Sequence, residues 1–151
     1  MLRPLRRRTA APLVLLVSVA VPGVSGCDTK PPQYPKVEPV SGKVLVKGQP
    51  AVGVVVTFHP VSPQDKGKPR PRGVAAADGT FRLTSYTTGD GAAAGDYAVT
   101  LHWPEREDPD LEVRGVEAKD RLQNRFKDSK RPYKRVTVRD GNNELDPFAV
   151  D

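Results

Sequence analysis

The chain has 151 residues, 37% of them hydrophobic, with 16 Pro and 13 Gly. That is room for one domain and not two, and a composition low for a helical bundle but ordinary for short strands joined by many turns. A core of this size argues against a large catalytic cleft.

The formal net charge is +6, unevenly placed. Arg3, Arg6, Arg7 and Arg8 precede the single cysteine, Cys27, and no acid accompanies them. Without those four of the 24 basic residues, bases outnumber the 18 acids by only two. A nearly balanced remainder predicts no nucleic-acid partner, since phosphate binding needs a concentrated basic face. One cysteine permits no intramolecular disulfide and no cysteine-based metal cluster.

Residues 1–26 read as an export signal. Arg3 to Arg8 make a positive start, and Ala10 to Val21 make an apolar run interrupted by Pro12 and Ser18. The run is too short to span roughly 30 Å of hydrocarbon as a stable helix. Pro22-Gly23 ends it. Val24-Ser25-Gly26-Cys27 then resembles the lipobox of bacterial lipoprotein signal peptides. That resemblance implies a diacylglycerol thioether on Cys27, cleavage before it, and a lipid-anchored protein of the cell envelope, periplasmic or at the cell surface. The thiolate is the natural nucleophile for such an alkylation. Acyl chains at about 0.8 kcal/mol per buried methylene, two or three of them together, give stable anchoring. Asp28 follows, similar to an inner-membrane retention signal of some bacteria. Residues 27–39 are expected to be the lipidated cysteine and a Pro-rich tether, reaching about 37 Å if extended at ~3.1 Å per residue.

From Val40 to Asp151 the hydrophobic period is two, predicting an all-β domain. Val40, Gly42, Val44 and Val46 alternate with Ser41, Lys43, Leu45 and Lys47, Gly48-Gln49-Pro50 is expected to turn, and Val54, Val56 and Phe58 line the next strand. Asp78-Gly79 is a hairpin signal between Gly73–Ala77 and Thr80–Thr84. Residues 85–95 read as a flexible loop. Tyr97, Val99, Leu101 and Trp103 make the clearest stripe, ended by Pro104. Residues 105–131 are charge-dense, acidic first and basic later (Arg121, Arg125, Lys127, Lys130, Arg131), with a short helix expected near 117–127. Val136 and Val138 point inward on the next strand, Asp140 to Asn143 turn, and Leu145 to Val150 close the chain as an edge strand because of Pro147.

Three stretches together resemble the carboxypeptidase regulatory-like (transthyretin-like, prealbumin-like) domain of small bacterial lipoproteins. They are Val40-Ser41-Gly42-Lys43-Val44 with Lys47 to Ala51 and Val54 to Phe58, then Ala77-Asp78-Gly79-Thr80-Phe81, then Gly95-Asp96-Tyr97-Ala98-Val99-Thr100. Asp120-Arg121-Leu122 through Phe126, and Val136 to Asn143, are similar to the ends of such proteins. The resemblance implies a seven- or eight-stranded antiparallel Greek-key sandwich. It implies no reaction, because function resides in sites and not in folds. The expected role is a non-catalytic binding or scaffold module for an envelope protein or glycan, with no cofactor.

The chemistry-bearing side chains are few. His59 and His102 lie on the polar faces of their strands, where two imidazoles would need a third ligand, Glu105 or Asp96, to hold zinc or copper. A metal-binding or hydrolytic protein using them is the alternative function; two solvent-facing polar residues is the plain one. Glu105, Glu107, Asp108 and Asp110 suggest calcium but lack the glycine and terminal glutamate of a calcium loop. Lys66, Lys68, Arg70 and Arg72 would suit anionic lipid or polysaccharide, or simply keep a loop soluble. There is no Gly-x-Ser-x-Gly, no His-Glu-x-x-His and no phosphate loop, so the chain is expected not to be an enzyme.

Overall fold

In the computed structural model the described residues are 34–62, 68–105 and 118–151. The signal residues, Val24, Ser25, Gly26 and Cys27 lie outside them, as do Lys66, Glu107, Asp108 and Asp110. Among the described residues there is no helix.

The expected period-two segments form strands in two sheets. In the first, β1 (Val40–Val46) is central. On one side it pairs antiparallel with β2 (Gln49–Pro50) and β5 (Thr80–Arg82). On the other it pairs parallel with β8 (Asn143–Glu144) and β9 (Phe148–Val150). The second sheet has the order β4 (Arg72–Val74), β3 (Val55–Pro60), β6 (Gly95–His102), β7 (Lys134–Val138), all antiparallel. Val44, Phe81, Phe148 and Val150 from the first sheet and Val56, Phe58, Tyr97, Val99, Leu101 and Val138 from the second share one buried cluster, giving a β-sandwich-like core.

One hairpin joins the sheets along an edge. Arg72 and Thr84 exchange both backbone hydrogen bonds, and Ala76 donates to Thr80 across the Asp78-Gly79 turn. β4 meanwhile pairs with β3, so its two edges serve different sheets. Gly73 permits this: a Cβ there would lie 2.6 Å from the Arg82 carbonyl oxygen.

Several expectations are corrected. The first turn is Lys47-Gly48, both at positive φ, and Gln49-Pro50 is already strand. Those dihedrals match the right-handed twist of a tight hairpin, which fixes the turn one residue earlier. The helix expected near 117–127 is not formed over the described 118–127. Instead Gln123 donates to the Asp120 carbonyl, Arg125 to that of Leu122 and Lys127 to that of Asn124, with Gln123 and Asn124 at positive φ. Left-handed residues cannot continue a right-handed helix.

Asn143–Glu144, ahead of the expected closing strand, form β8, and the expected strand Leu145 to Val150 is reduced to β9 after Pro147. It lies at a sheet edge as anticipated, but runs parallel to β1, so the first sheet is mixed and not purely antiparallel. The 85–95 loop is densely hydrogen-bonded and not open. The Asp90 carboxylate accepts from the backbone amides of Ser85, Tyr86 and Thr87 at 2.7–2.9 Å. Trp103 sits half-buried at the rim, its indole N–H donating to the Val52 carbonyl at 2.9 Å.

Phe148 illustrates what the last strand contributes. It is 1% exposed and packs against Phe81 and Tyr133 with ring centroids 5.6 Å apart in each pair. Phe148→Ala removes the larger of the two buried side chains by which β9 joins the core, Val150 being the other, so a loss of about 3–5 kcal/mol is expected, read as a lowered urea midpoint.

Candidate functional site

The polar face of the second sheet carries both histidines. Period two places Val55, Thr57 and His59 outward on β3, and Ala98, Thr100 and His102 outward on β6. Antiparallel register then sets His59 opposite Ala98 and His102 opposite Val55. The two imidazoles are therefore four residues apart along the sheet, about 13 Å at ~3.3 Å per residue. They share a face but do not converge, and a site using both is not assembled. No group of three His, Cys, Asp or Glu side chains suited to a metal occurs among the described residues. Of the candidate third ligands, Asp96 takes a 2.5 Å hydrogen bond from the Thr137 hydroxyl, and exposed Glu105 lies past the end of β6.

Each histidine has its own partner. His59 Nε2 shares a 2.9 Å hydrogen bond with the Thr100 hydroxyl. Burial, and then the nearby Arg70 guanidinium, hold its pKa below the usual imidazole value of 6.5. His102 Nδ1 lies 3.8 Å from Asp120 Oδ1, too far for a hydrogen bond, and is buried with no other partner among the described residues.

Asp120 is the polar centre that sequence reading passed over. Its side chain is fully buried. Oδ1 accepts from the backbone amides of Trp103 (2.8 Å) and Leu122 (3.0 Å), and Oδ2 from that of Asn124 (3.0 Å). A paired bridge between Pro104 and Asp120, with Arg121 donating to the Trp103 carbonyl, fastens the same segment to the end of β6. One carboxylate thus satisfies three donors that the irregular backbone leaves unpaired. The signal in the sequence is an aspartate two residues before an isolated leucine in a charged stretch, an Asx-type turn pattern that a charge-dense neighbourhood disguises.

A second carboxylate works at the other end of the sheets. Glu38 is buried, Oε2 accepting from the Gly141 amide at 3.0 Å while Lys36 Nζ lies 2.6 Å from Oε1 and 3.1 Å from Asp140. Glu38 also bridges Ala92 through its backbone, and Tyr34 stacks on Tyr86 at 4.4 Å. Residues 34–39 of the expected tether are accordingly held against the domain.

Of the basic loop, Lys68, Arg70 and Arg72 are exposed on the β4 side. Exposed Arg121, Arg125, Lys130, Arg131, Lys134 and Arg135 gather instead along the strap between β6 and β7 and onto β7 itself. Set beside models of known protein families, curated proteins and solved structures, the chain matches none.

Two outcomes follow from these contacts. Asp120→Asn keeps the shape but turns one acceptor into a donor facing an amide, so stability should fall by about 1–3 kcal/mol in chemical denaturation. For His59, a depressed folded pKa means the folded state binds fewer protons. Stability from this group is then fully present above pH 6.5 and declines as pH falls from there through the folded value. His59→Gln should flatten that decline in urea midpoints measured between pH 7 and pH 5.

Proposed function

We propose that the chain is a non-catalytic lipoprotein of the bacterial cell envelope. It is cleaved before Cys27 and held to a membrane by acyl chains on that residue. Its domain is of the carboxypeptidase regulatory-like, transthyretin-like kind, a Greek-key sandwich that binds or scaffolds a protein or glycan.

The observation that carries this reading is the use made of the buried carboxylates. Asp120 and Glu38, at opposite ends of the sheets, both serve backbone amides. Their ionisable neighbours, His102 Nδ1 at 3.8 Å from Asp120 and Lys36 Nζ at 2.6 Å from Glu38, are respectively beyond hydrogen-bond reach and a fixed ion pair, so neither carboxylate is set up as a general acid or base. On the outer face of the second sheet Arg72 and Val74 of β4 and Arg135 and Thr137 of β7 are exposed on a fixed frame, which suits recognition. The grip on residues 34–39 fits a domain loaded through its N-terminal end.

A membrane fraction prepared from cells that make the wild-type chain should contain it, with mass spectrometry showing a lipidated N-terminal cysteine. Cys27→Ala should leave the leader attached and the sulfur modification absent. A wild-type chain with an unmodified Cys27 overturns the reading.

A further inference from the structure

The near balance of charge outside the leader conceals a strong segregation. Residues 119–139 hold nine Lys or Arg against two acids, Asp120 and Asp128. Asp120 is buried beneath backbone amides, and Asp128 accepts from the Lys130 amide while pairing with Arg131. Three of the other cations lie over aromatic rings. Arg121 lies over the Trp103 ring and Arg125 over Phe126, each 5.0 Å from the centroid, and Lys134 lies 5.7 Å over Phe148. Cations seated on rings are positioned in advance and keep their charge.

The topology fixes where this wall stands. The strap meets the Val99–Trp103 half of β6: Tyr133 donates to the Val99 carbonyl, Leu101 to that of Phe126, and Arg121 to that of Trp103. The tether enters at the other end of β6, where Glu38 bridges Ala92 beside Gly95 and reaches Gly141 beyond the end of β7. Counted along β6, the contacts with the strap lie about 14 to 27 Å from Gly95 at ~3.4 Å per residue.

We propose that this wall, in particular Arg121, Arg125, Lys130, Arg131 and Lys134, docks an anionic glycan, a polysaccharide bearing carboxylate or phosphodiester groups. This deepens the reading given above and rests on it. Anchored at Cys27, with at most about 25 Å of chain between that residue and Tyr34, the protein keeps its tether end near its own bilayer, and the wall lies farther along β6 from that end. A folded protein partner would need an apolar centre in the contact. Of the exposed large apolar residues, Val52 borders the wall, its carbonyl accepting from the Trp103 indole, but one valine makes no apolar centre. A polymer of repeating charge needs only a row of cations, with half-buried rings such as Trp103 and Tyr133 between them.

The test uses the full chain in detergent, titrated with polygalacturonate and with phosphomannan, and with neutral dextran as control. At least one anionic glycan should bind, dextran should not, and affinity should fall with added salt. The triple variant Lys130→Gln, Arg131→Gln, Lys134→Gln should bind about tenfold or more weakly, since three cation contacts are lost. The charge-matched triple Arg70→Gln, Arg72→Gln, Arg82→Gln should bind as wild type does. Circular dichroism of both triples establishes that each is folded.

The inference is overturned if neither anionic glycan binds at low salt. It is equally overturned if both triples weaken binding alike, or if anionic vesicles or duplex DNA bind more tightly than either glycan. A chain that is lipidated at Cys27 and cross-links to an envelope partner in cells, yet ignores both glycans, refutes the wall alone. An unmodified Cys27 refutes the anchored reading itself.

Discussion

Every ladder of the first sheet runs through β1. β2 and β5 pair with one of its edges, β8 and β9 with the other, and none of the four is linked to its neighbour except through it. Two of those partners are only two residues long. Strands so short have no independent stability, so they exist because β1 presents a complete set of backbone groups on both sides. The same strand must leave room on its inner face. A Cβ at Gly42 would lie 2.7 Å from the Phe81 ring, so glycine there is a matter of space, and Phe81 fills the volume that a side chain would have taken. The packing of Phe81 on Phe148, and of Phe148 on Tyr133, follows from that one position.

Period two made the sandwich legible. Val44, Val54, Val56, Phe58, Phe81, Leu83, Tyr97, Val99, Leu101 and Val138 all take the buried positions that alternation assigns them. The strands that carry most of them run three to eight residues, long enough for alternation in the sequence to mark the inner face. Phe148 and Val150 were harder to read as core, because Pro147 and the adjacent acids suggest only an edge. The direction of that strand is not written in its own residues at all. It is set by which edge of β1 remains open.

The candidate site was legible only in part, for a different reason. His59 and His102 could be assigned to one face from alternation, but their separation depends on register, and register belongs to pairs of strands. Asp120 was hidden because its role is to satisfy the amides of Trp103 at the end of β6 and of Leu122 and Asn124 in an irregular segment, and nothing in composition distinguishes it from a solvated acid. The expected helix failed at the same place. Its spacing of Leu122 and Phe126 is helical, yet Gln123 and Asn124 turn left-handed so that all three donors reach one carboxylate. The Lys-rich and Arg-rich stretch around it, read from sequence as mere charge density, becomes a surface only once Asp120 has fastened the strap to β6.

The parallel pairing of β9 with β1 has a consequence for the order in which the chain becomes a protein. Val44 finds Phe148, and Lys47 finds the Val150 carbonyl, only when the last few residues are present. Contacts between distant parts of a chain are slow to form, and these are among the most distant it has. The inner face of β1 thus stays open along one edge until residues 148–150 have paired, which makes closure of the first sheet a late step of folding.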